Sequence, residues 1–370
     1  MATQIAAGVS ASFCYFGLFS KSFVLAPAAG FGALQAGLCE VLYTFMLVFV
    51  VLNVAIATKS GNSPNRYYGL AIGFVIVAGA YGAGAVSGGC FNPAVAIGID
   101  ASGAMTGSFG WCLVYTLCEF VGAALAAVCF KLVRPQEFGG EKGPATDLIS
   151  EFLGTYFLVL TVGLNVLGKS AAGAFSIAAS LMCMIYALGN VSGAHFNPAV
   201  TVAIFCSGRC KDKLTPVEAV KFIVVQVLGG ITAAFTYRLI RNGDSFALSP
   251  GAKFGWGEVA VAEAVFTFVL CYVVLCVAVS GTTKTDAMFG LAIGACVTVG
   301  GNAIGAISGG SLNPAVSWGI ASSHMAGSSL IAAAAYTCFE LLGAVAAAGV
   351  FAVTHAVDVK ELDDEAKHIA

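Results

Sequence analysis

The stretch Ser192-Gly193-Ala194-His195-Phe196-Asn197-Pro198-Ala199-Val200 decides the fold, because its core, Asn-Pro-Ala, occurs three times and always between long apolar runs. The other copies are Ser87-Gly88-Gly89-Cys90-Phe91-Asn92-Pro93-Ala94-Val95 and Ser308-Gly309-Gly310-Ser311-Leu312-Asn313-Pro314-Ala315-Val316. Polar, proline-bearing backbone at membrane depth is tolerated only where it is buried in protein or lines a water-filled cavity. Asn is a good helix N-cap, and Pro suits the first helical position, where its missing N–H costs nothing. Each motif therefore reads as the start of a short half-helix. Its N-terminus carries free N–H donors and about half a positive charge. Two such ends meeting at mid-membrane repel cations, while the Asn side chains offer hydrogen bonds to a small polar molecule.

Around these motifs the 370 residues are 59% hydrophobic and 10% charged, with a mean hydropathy of +0.91. Soluble domains carry about a quarter charged residues, so this composition describes an integral membrane protein. Its apolar runs approach the ~20 residues that an α-helix needs to cross the hydrocarbon. Forty-six glycines suit close helix packing in lipid. A net charge of −2 gives no reason to expect a nucleic-acid partner. The 13 cysteines are odd in number and scattered through apolar runs, which argues against a disulfide framework. Cys206 and Cys210 flank a basic loop, but no His or Cys pair lies nearby, so they read as small apolar filler. No metal or other cofactor is expected. No nucleophile or metal spacing suggests an enzyme, and Gly168-Lys169-Ser170 lacks the glycines of a phosphate loop.

The expected fold is an all-α membrane protein of three repeated units, each with three spans and one re-entrant half-helix. Residues 1–36 form a membrane-associated or targeting segment, whose apolar part runs from Ile5 to Phe19. Unit one, residues 37–133, has spans near 37–57, 68–85 and 110–132, with a polar loop from Lys59 to Arg66. Unit two, 148–241, has spans near 148–167, 172–188 and 216–240. Unit three, 257–355, has spans near 257–279, 287–304 and 328–354. That makes about nine spans, or ten if the N-terminal segment crosses. Residues 356–370 form a charged tail in solution. Three spans and a half-helix per unit make successive units enter the membrane from opposite sides, the inverted-repeat logic of transport proteins.

Each unit places one carboxylate in its first span (Glu40, Glu151, Glu263) and one polar side chain in its last (Glu119, Gln226, Glu340). The latter follow the motif Asn by 27 residues (92 to 119), 29 (197 to 226) and 27 (313 to 340). A carboxylate inside a membrane is costly unless it finds partners. The repetition in register assigns these six residues to holding the half-helix loops through their backbone N–H groups. His195 reads as an imidazole serving the same scaffold, with a gate or pH sensor as the alternative. If the linker from Arg134 to Asp147 is cytosolic, twelve Lys and Arg residues fall inside and five outside. That bias follows the positive-inside rule and puts the C-terminus in the cytosol.

These residues resemble the major intrinsic proteins, the aquaporins and glycerol channels. Unit two resembles the family's first half through Ser150-Glu151-Phe152-Leu153-Gly154-Thr155, the Asn197 motif and Gln226-Val227-Leu228-Gly229. Unit three resembles the second half through Glu263-Ala264-Val265-Phe266-Thr267, Gly290-Leu291-Ala292-Ile293-Gly294 and the Asn313 motif. Unit one also resembles a second half, since Tyr115-Thr116-Leu117-Cys118-Glu119 parallels Tyr336-Thr337-Cys338-Phe339-Glu340. The order is second, first, second, where the family has two halves. Residues 148–355 make the better pore. Unit one either packs against it from the side or pairs with a unit of another chain.

The resemblance implies a passive channel for water and small neutral solutes (glycerol, urea, ammonia, hydrogen peroxide), surrounded by lipid. It also implies a homo-oligomer, by default a tetramer. The Asn-Pro-Ala triplets at 92–94, 197–199 and 313–315 would be its pore motifs. Its constriction, carried over by offset from the motifs, would be Ile177, Gly301, Gly310 and Val316. Most family members have Arg where this chain has Val316, so the constriction should be wider and less polar. Pairing units one and two instead would use Ile72, Ile185, Ala194 and Val200. Two other classes stay open at this point: a coupled transporter, which needs a titratable group in the pathway, and a non-conducting structural or assembly protein on the same scaffold.

Overall fold

A computed structural model describes residues 1–58, 67–209, 214–285 and 287–356. The expected polar loop from Lys59 to Arg66, Cys210 and the charged tail from 357 onward lie outside the described residues. The described chain is all-helical. In order it runs α1 (Ala2–Phe19), α2 (Ala33–Val51), α3 (Tyr68–Ser87), α4 (Pro93–Gly103), α5 (Trp111–Val133), α6 (Pro144–Leu167), α7 (Gly173–Ser192), α8 (Pro198–Ser207), α9 (Pro216–Ile240), α10 (Trp256–Val274), α11 (Phe289–Ser308), α12 (Pro314–His324) and α13 (Gly327–Thr354). Ten of these are long and apolar enough to cross a membrane. The segment 1–36 contains the tenth, an 18-residue helix packed along α4. α6 begins at Pro144 rather than near 148, because Pro sits at its first turn and Asp147, paired with Lys142 at 2.7 Å, favours the positive helix N-terminus.

The half-helices α4, α8 and α12 start the same way. Asn92, Asn197 and Asn313 are extended at φ −158°, and each side chain accepts the N–H two residues on, with Pro at the first helical position. The chain reaches each Asn through left-handed residues: Phe91, Phe196 and Leu312 have φ of 55°, 49° and 55°. α2 and α10 each finish in a widened π turn, Leu52–Ile56 and Leu275–Val279, another device repeated between units one and three.

Within each unit the first and last spans pack together: α2 on α5, α6 on α9, α10 on α13. Gly122, Gly229 and Gly343, each three residues after the last-span polar residue, permit this. A side chain there would strike the backbone carbonyl of Val41, Phe152 or Ala264. In lipid such close backbone approach supplies much of the association. Units two and three join through α7–α11 and α9–α12.

Unit one lies against unit two from the side, with α3 on α7 and α6. Its buried polar contacts include Tyr43 with Thr161 (3.0 Å) and Ser176 donating to the Ala78 carbonyl (3.0 Å). Arg134, 1% exposed, donates to Asn53 (2.9 Å) and to the Ala187 carbonyl (2.9 Å), while Lys142 donates to the Val191 carbonyl (2.6 Å). Both cations thus meet the negative C-terminal end of α7. The alternative pairing of units one and two into a pore is not formed. Asn197 reaches unit three, Ile185 is buried in the core, and Ile72 is packed against that core.

Candidate functional site

The site is built where α8 and α12 meet end to end. The Asn197 amide donates to the Leu312 carbonyl (2.8 Å), and the Asn313 amide returns the bond to the Phe196 carbonyl (2.9 Å). Their carbonyl oxygens are used as N-caps, accepting from Ala199 (2.8 Å) and Ala315 (2.9 Å). Each amide nitrogen carries two hydrogens, so one is fixed in the junction and the other is left for a ligand.

The six intramembrane polar residues are all buried, four of them (Glu151, Gln226, Glu263, Glu340) behind the junction and two (Glu40, Glu119) behind the Asn92 loop. Glu151 accepts from Ser192 (2.6 Å) and from the backbone N–H groups of His195 (3.0 Å) and Phe196 (2.8 Å). It also accepts from Gln226 (2.8 Å), which donates in turn to Thr201 (3.0 Å). Glu263 accepts from the N–H groups of Ser311 (3.1 Å) and Leu312 (2.9 Å), and Glu340 from that of Asn313 (3.0 Å) and from Ser317 (3.1 Å). Unit one repeats the pattern: Glu40 accepts from Ser87 (2.7 Å), Cys90 (3.2 Å) and Phe91 (2.7 Å), and Glu119 from Asn92 (2.9 Å). The first-span carboxylate holds the loop before the Asn, and the last-span residue holds the Asn itself or the helix after it. His195 Nδ1 shares a hydrogen bond with Thr201 (3.1 Å), and its ring meets Phe222 edge-on, so it braces the loop against α8 and α9.

A cavity of about 630 Å³ passes this junction between units two and three. Asn197, Asn313 and His195 line it, as do Ile177, Gly301, Gly310 and Val316. Pro198, Ala199, Pro314 and Ala315 are buried and do not line it; they shape the helix starts. Asn92, Pro93 and Ala94 lie outside this cavity. The two glycines do not act as open notches. A methyl at Gly301 would lie 2.9 Å from the Ala174 methyl, and one at Gly310 would lie 3.4 Å from the Gly301 Cα. They let α7, α11 and the Asn313 loop close on one another, while Ile177 and Val316 present side chains to the cavity. No Asp or Glu lines the cavity among the described residues; Lys169 is its one formally charged side chain.

Several residues beyond the sequence reading take part. Tyr115 and Tyr336 donate to the carbonyls of Ser87 and Ser308, clamping the turn before each motif. Each stands four residues ahead of its glutamate, a repeated spacing that could have marked it. Thr201 links His195 to Gln226. Asn165 and Asn302 add amides to the cavity wall with no repeat to announce them.

A profile of the major intrinsic protein family matches residues 1–130, 142–325 and 291–368. Aquaporin NIP1-2 of Oryza sativa subsp. japonica is 34% identical over 189 residues, 46% of this chain and 60% of that protein. Aquaporin NIP1-1 of Zea mays is 36% identical over 182 residues, 46% of this chain and 62% of that one. The chain thus spans about three fifths of these relatives' length. Aquaporin NIP1-2 of Arabidopsis thaliana is 33% identical over 236 residues, 57% of this chain and 74% of that protein. The X-ray structure of the aquaglyceroporin from Plasmodium falciparum overlaps 55% of this chain and 94% of its own, at 19% identity and a TM-score of 0.46.

Proposed function

Because the chain belongs to the major intrinsic protein family, we propose that it is a passive membrane channel for water and small neutral solutes, conducting between units two and three. The observation that carries this reading is the reciprocal Asn197–Asn313 junction set in the wall of this cavity. Two half-helix N-termini converge there, so a cation meets positive potential from both sides. A neutral solute meets one free amide hydrogen from each Asn and otherwise mostly apolar wall. This favours single-file passage over tight binding. Coupled transport is disfavoured because the membrane carboxylates are engaged with loop N–H groups and none lines the cavity among the described residues.

The proposed permeants rest on the side chains of the wall. With Val316 where most family members have Arg, and Ile177 in the same wall, the channel is expected to pass glycerol, urea, ammonia or hydrogen peroxide as well as water. The distribution of Lys and Arg puts the C-terminus in the cytosol, and the relatives' family suggests a homo-oligomer. The test is stopped-flow light scattering on proteoliposomes jumped into hyperosmotic glycerol, where one trace reads water exit and then glycerol entry. Fast shrinkage followed by fast re-swelling is expected. Fast shrinkage with slow re-swelling would restrict the pore to water. Shrinkage no faster than in empty liposomes, with folded protein, would leave a structural role.

A further inference from the structure

Unit one is a half without an inverted partner, and unit three, which has one, shows what its open side is shaped for. The two correspond at a constant offset: Gly69, Gly73, Ser87 and Asn92 match Gly290, Gly294, Ser308 and Asn313, each 221 residues on (313 − 92). In unit three, α11 presses these glycines on α7. A methyl at Gly290 would lie 2.9 Å from the Tyr186 ring, and one at Gly294 would lie 2.9 Å from the Ala178 carbonyl oxygen. In unit one, Gly69 and Gly73 meet nothing within 4 Å. Asn313 is 3% exposed and its amide is bonded, whereas Asn92 is exposed and its amide nitrogen has no partner among the described residues. Val316 is 3% exposed and its counterpart Val95 is 41%.

α1 completes the comparison. It packs on α4 as α9 packs on α12: a side chain at Gly8 would strike the Ala94 carbonyl, as one at Gly230 would strike that of Ala315. Tyr15 and Ser22 bond to Ser102 (2.8 and 2.7 Å), as Tyr237 and Ser245 bond to Ser323 (2.8 and 2.9 Å). Tyr15 stacks on Phe23 as Tyr237 stacks on Phe246. α1 thus holds, beside unit one, the place α9 holds beside unit three. Among the described residues, nothing stands beside unit one in the places that α6, α7 and α8 take beside unit three.

We infer that the open face formed by α1, α3 and the Asn92 end of α4 takes a membrane-embedded segment of two spans and one Asn-Pro-Ala half-helix, of the type formed by residues 144–207. That segment would bring its own Asn amide to the Phe91 carbonyl and receive the Asn92 amide, as Asn197 and Asn313 do. Unit one of a second copy does not fit, since it enters the membrane in the same sense while the junction joins units of opposite sense. Exchange of unit two between copies does not serve either. Residues 1–370 hold two units of the second type and one of the first, so pairing among copies of these residues leaves one face open.

The test places a p-benzoylphenylalanine crosslinker in place of Tyr81, an exposed aromatic of α3 whose counterpart Asn302 lines the cavity, in the full chain co-expressed with a tagged polypeptide of residues 144–207. Irradiation should give an adduct of the two, and none when the crosslinker replaces Val261, a lipid-facing residue of unit three that is 65% exposed. Asn92→Ala in the full chain should lower the yield. Equal yields at both positions, or adducts with lipid alone while the polypeptide is in the membrane, would overturn the inference. If the polypeptide fails to insert by itself, residues 144–222 are joined ahead of residue 1, the junction dictated by the match of α1 to α9. Mass spectrometry should then place the position-81 crosslink within the added residues, and a crosslink to lipid would overturn the inference. Neither readout depends on flux, so its failure is distinct from failure of the channel reading.

Discussion

At the scale of single residues, the loops hang on a few carboxylates. Glu151 takes the N–H groups of His195 and Phe196, the Ser192 hydroxyl and the Gln226 amide. Each buried donor left unpaired costs about 1–3 kcal/mol. Glu151→Ala should therefore abolish a stable fold or lower its melting temperature in detergent sharply. Glu151→Gln, which keeps one acceptor oxygen, should lose much less. Unchanged melting of Glu151→Ala would show that the loop stands without it. Val316 controls a different quantity. It lines the cavity from the first turn of the Asn313 half-helix, and Val316→Arg adds bulk and charge to that wall. Glycerol entry should fall by on the order of tenfold, a barrier increase of about 1.4 kcal/mol, with water exit falling less. Equal loss of both in stopped-flow traces would place the narrow zone elsewhere.

At the scale of helices, the same glycine does different work on different faces. Gly230 lets α9 touch α12, and a methyl there would strike the Ala315 carbonyl. Overpacking of this kind costs about 1–3 kcal/mol, so Gly230→Ala should lower the melting temperature measurably. Gly73→Ala meets open space, and surface changes of that kind stay within about 0.5 kcal/mol. A melting temperature for Gly73→Ala as depressed as that of Gly230→Ala would mean that the α3 face is packed in the purified protein. The helix ends are as specific as the faces. Arg134 and Lys142 sit at the α7 C-terminus, and Arg241 donates to the Leu167 carbonyl near the end of α6 (2.8 Å). Cations at helix C-termini are favourable, and these tie the linkers to the unit they border.

At the scale of the whole molecule, the proposed conduction and the lateral packing are separable. The cavity is lined by residues of units two and three and the segments joining them, and unit one contributes none. Residues 144–356 expressed alone should therefore conduct water at the per-channel rate of the full chain. A loss in liposomes, with the fragment folded, would show that unit one holds α6 and α7 in their working positions. The fold class, the three units, the half-helix starts and the register of the six polar residues were legible in the sequence. They rest on local rules: length and hydropathy make spans, and Asn-Pro makes a capped start. Which units pair came in the sequence only from the resemblance, which favoured residues 148–355; the motifs themselves do not give it, because all three carry the same capping chemistry. The choice of unit three for Asn197 is made by shape, α11 offering Gly290 and Gly294 to α7 and α12 accepting Gly230 of α9. The role of α1 was hidden for the same reason. Gln4, Gly8, Phe13 and Tyr15 match Gln226, Gly230, Phe235 and Tyr237 at a constant 222 residues (226 − 4). So sparse a pattern acquires meaning only when α1 is seen lying on α4. The sequence by itself determined what each segment is, because helix, cap and span follow from neighbours along the chain. Only the tertiary structure decided which segment meets which, because that depends on complementary surfaces between parts of the chain far apart in sequence.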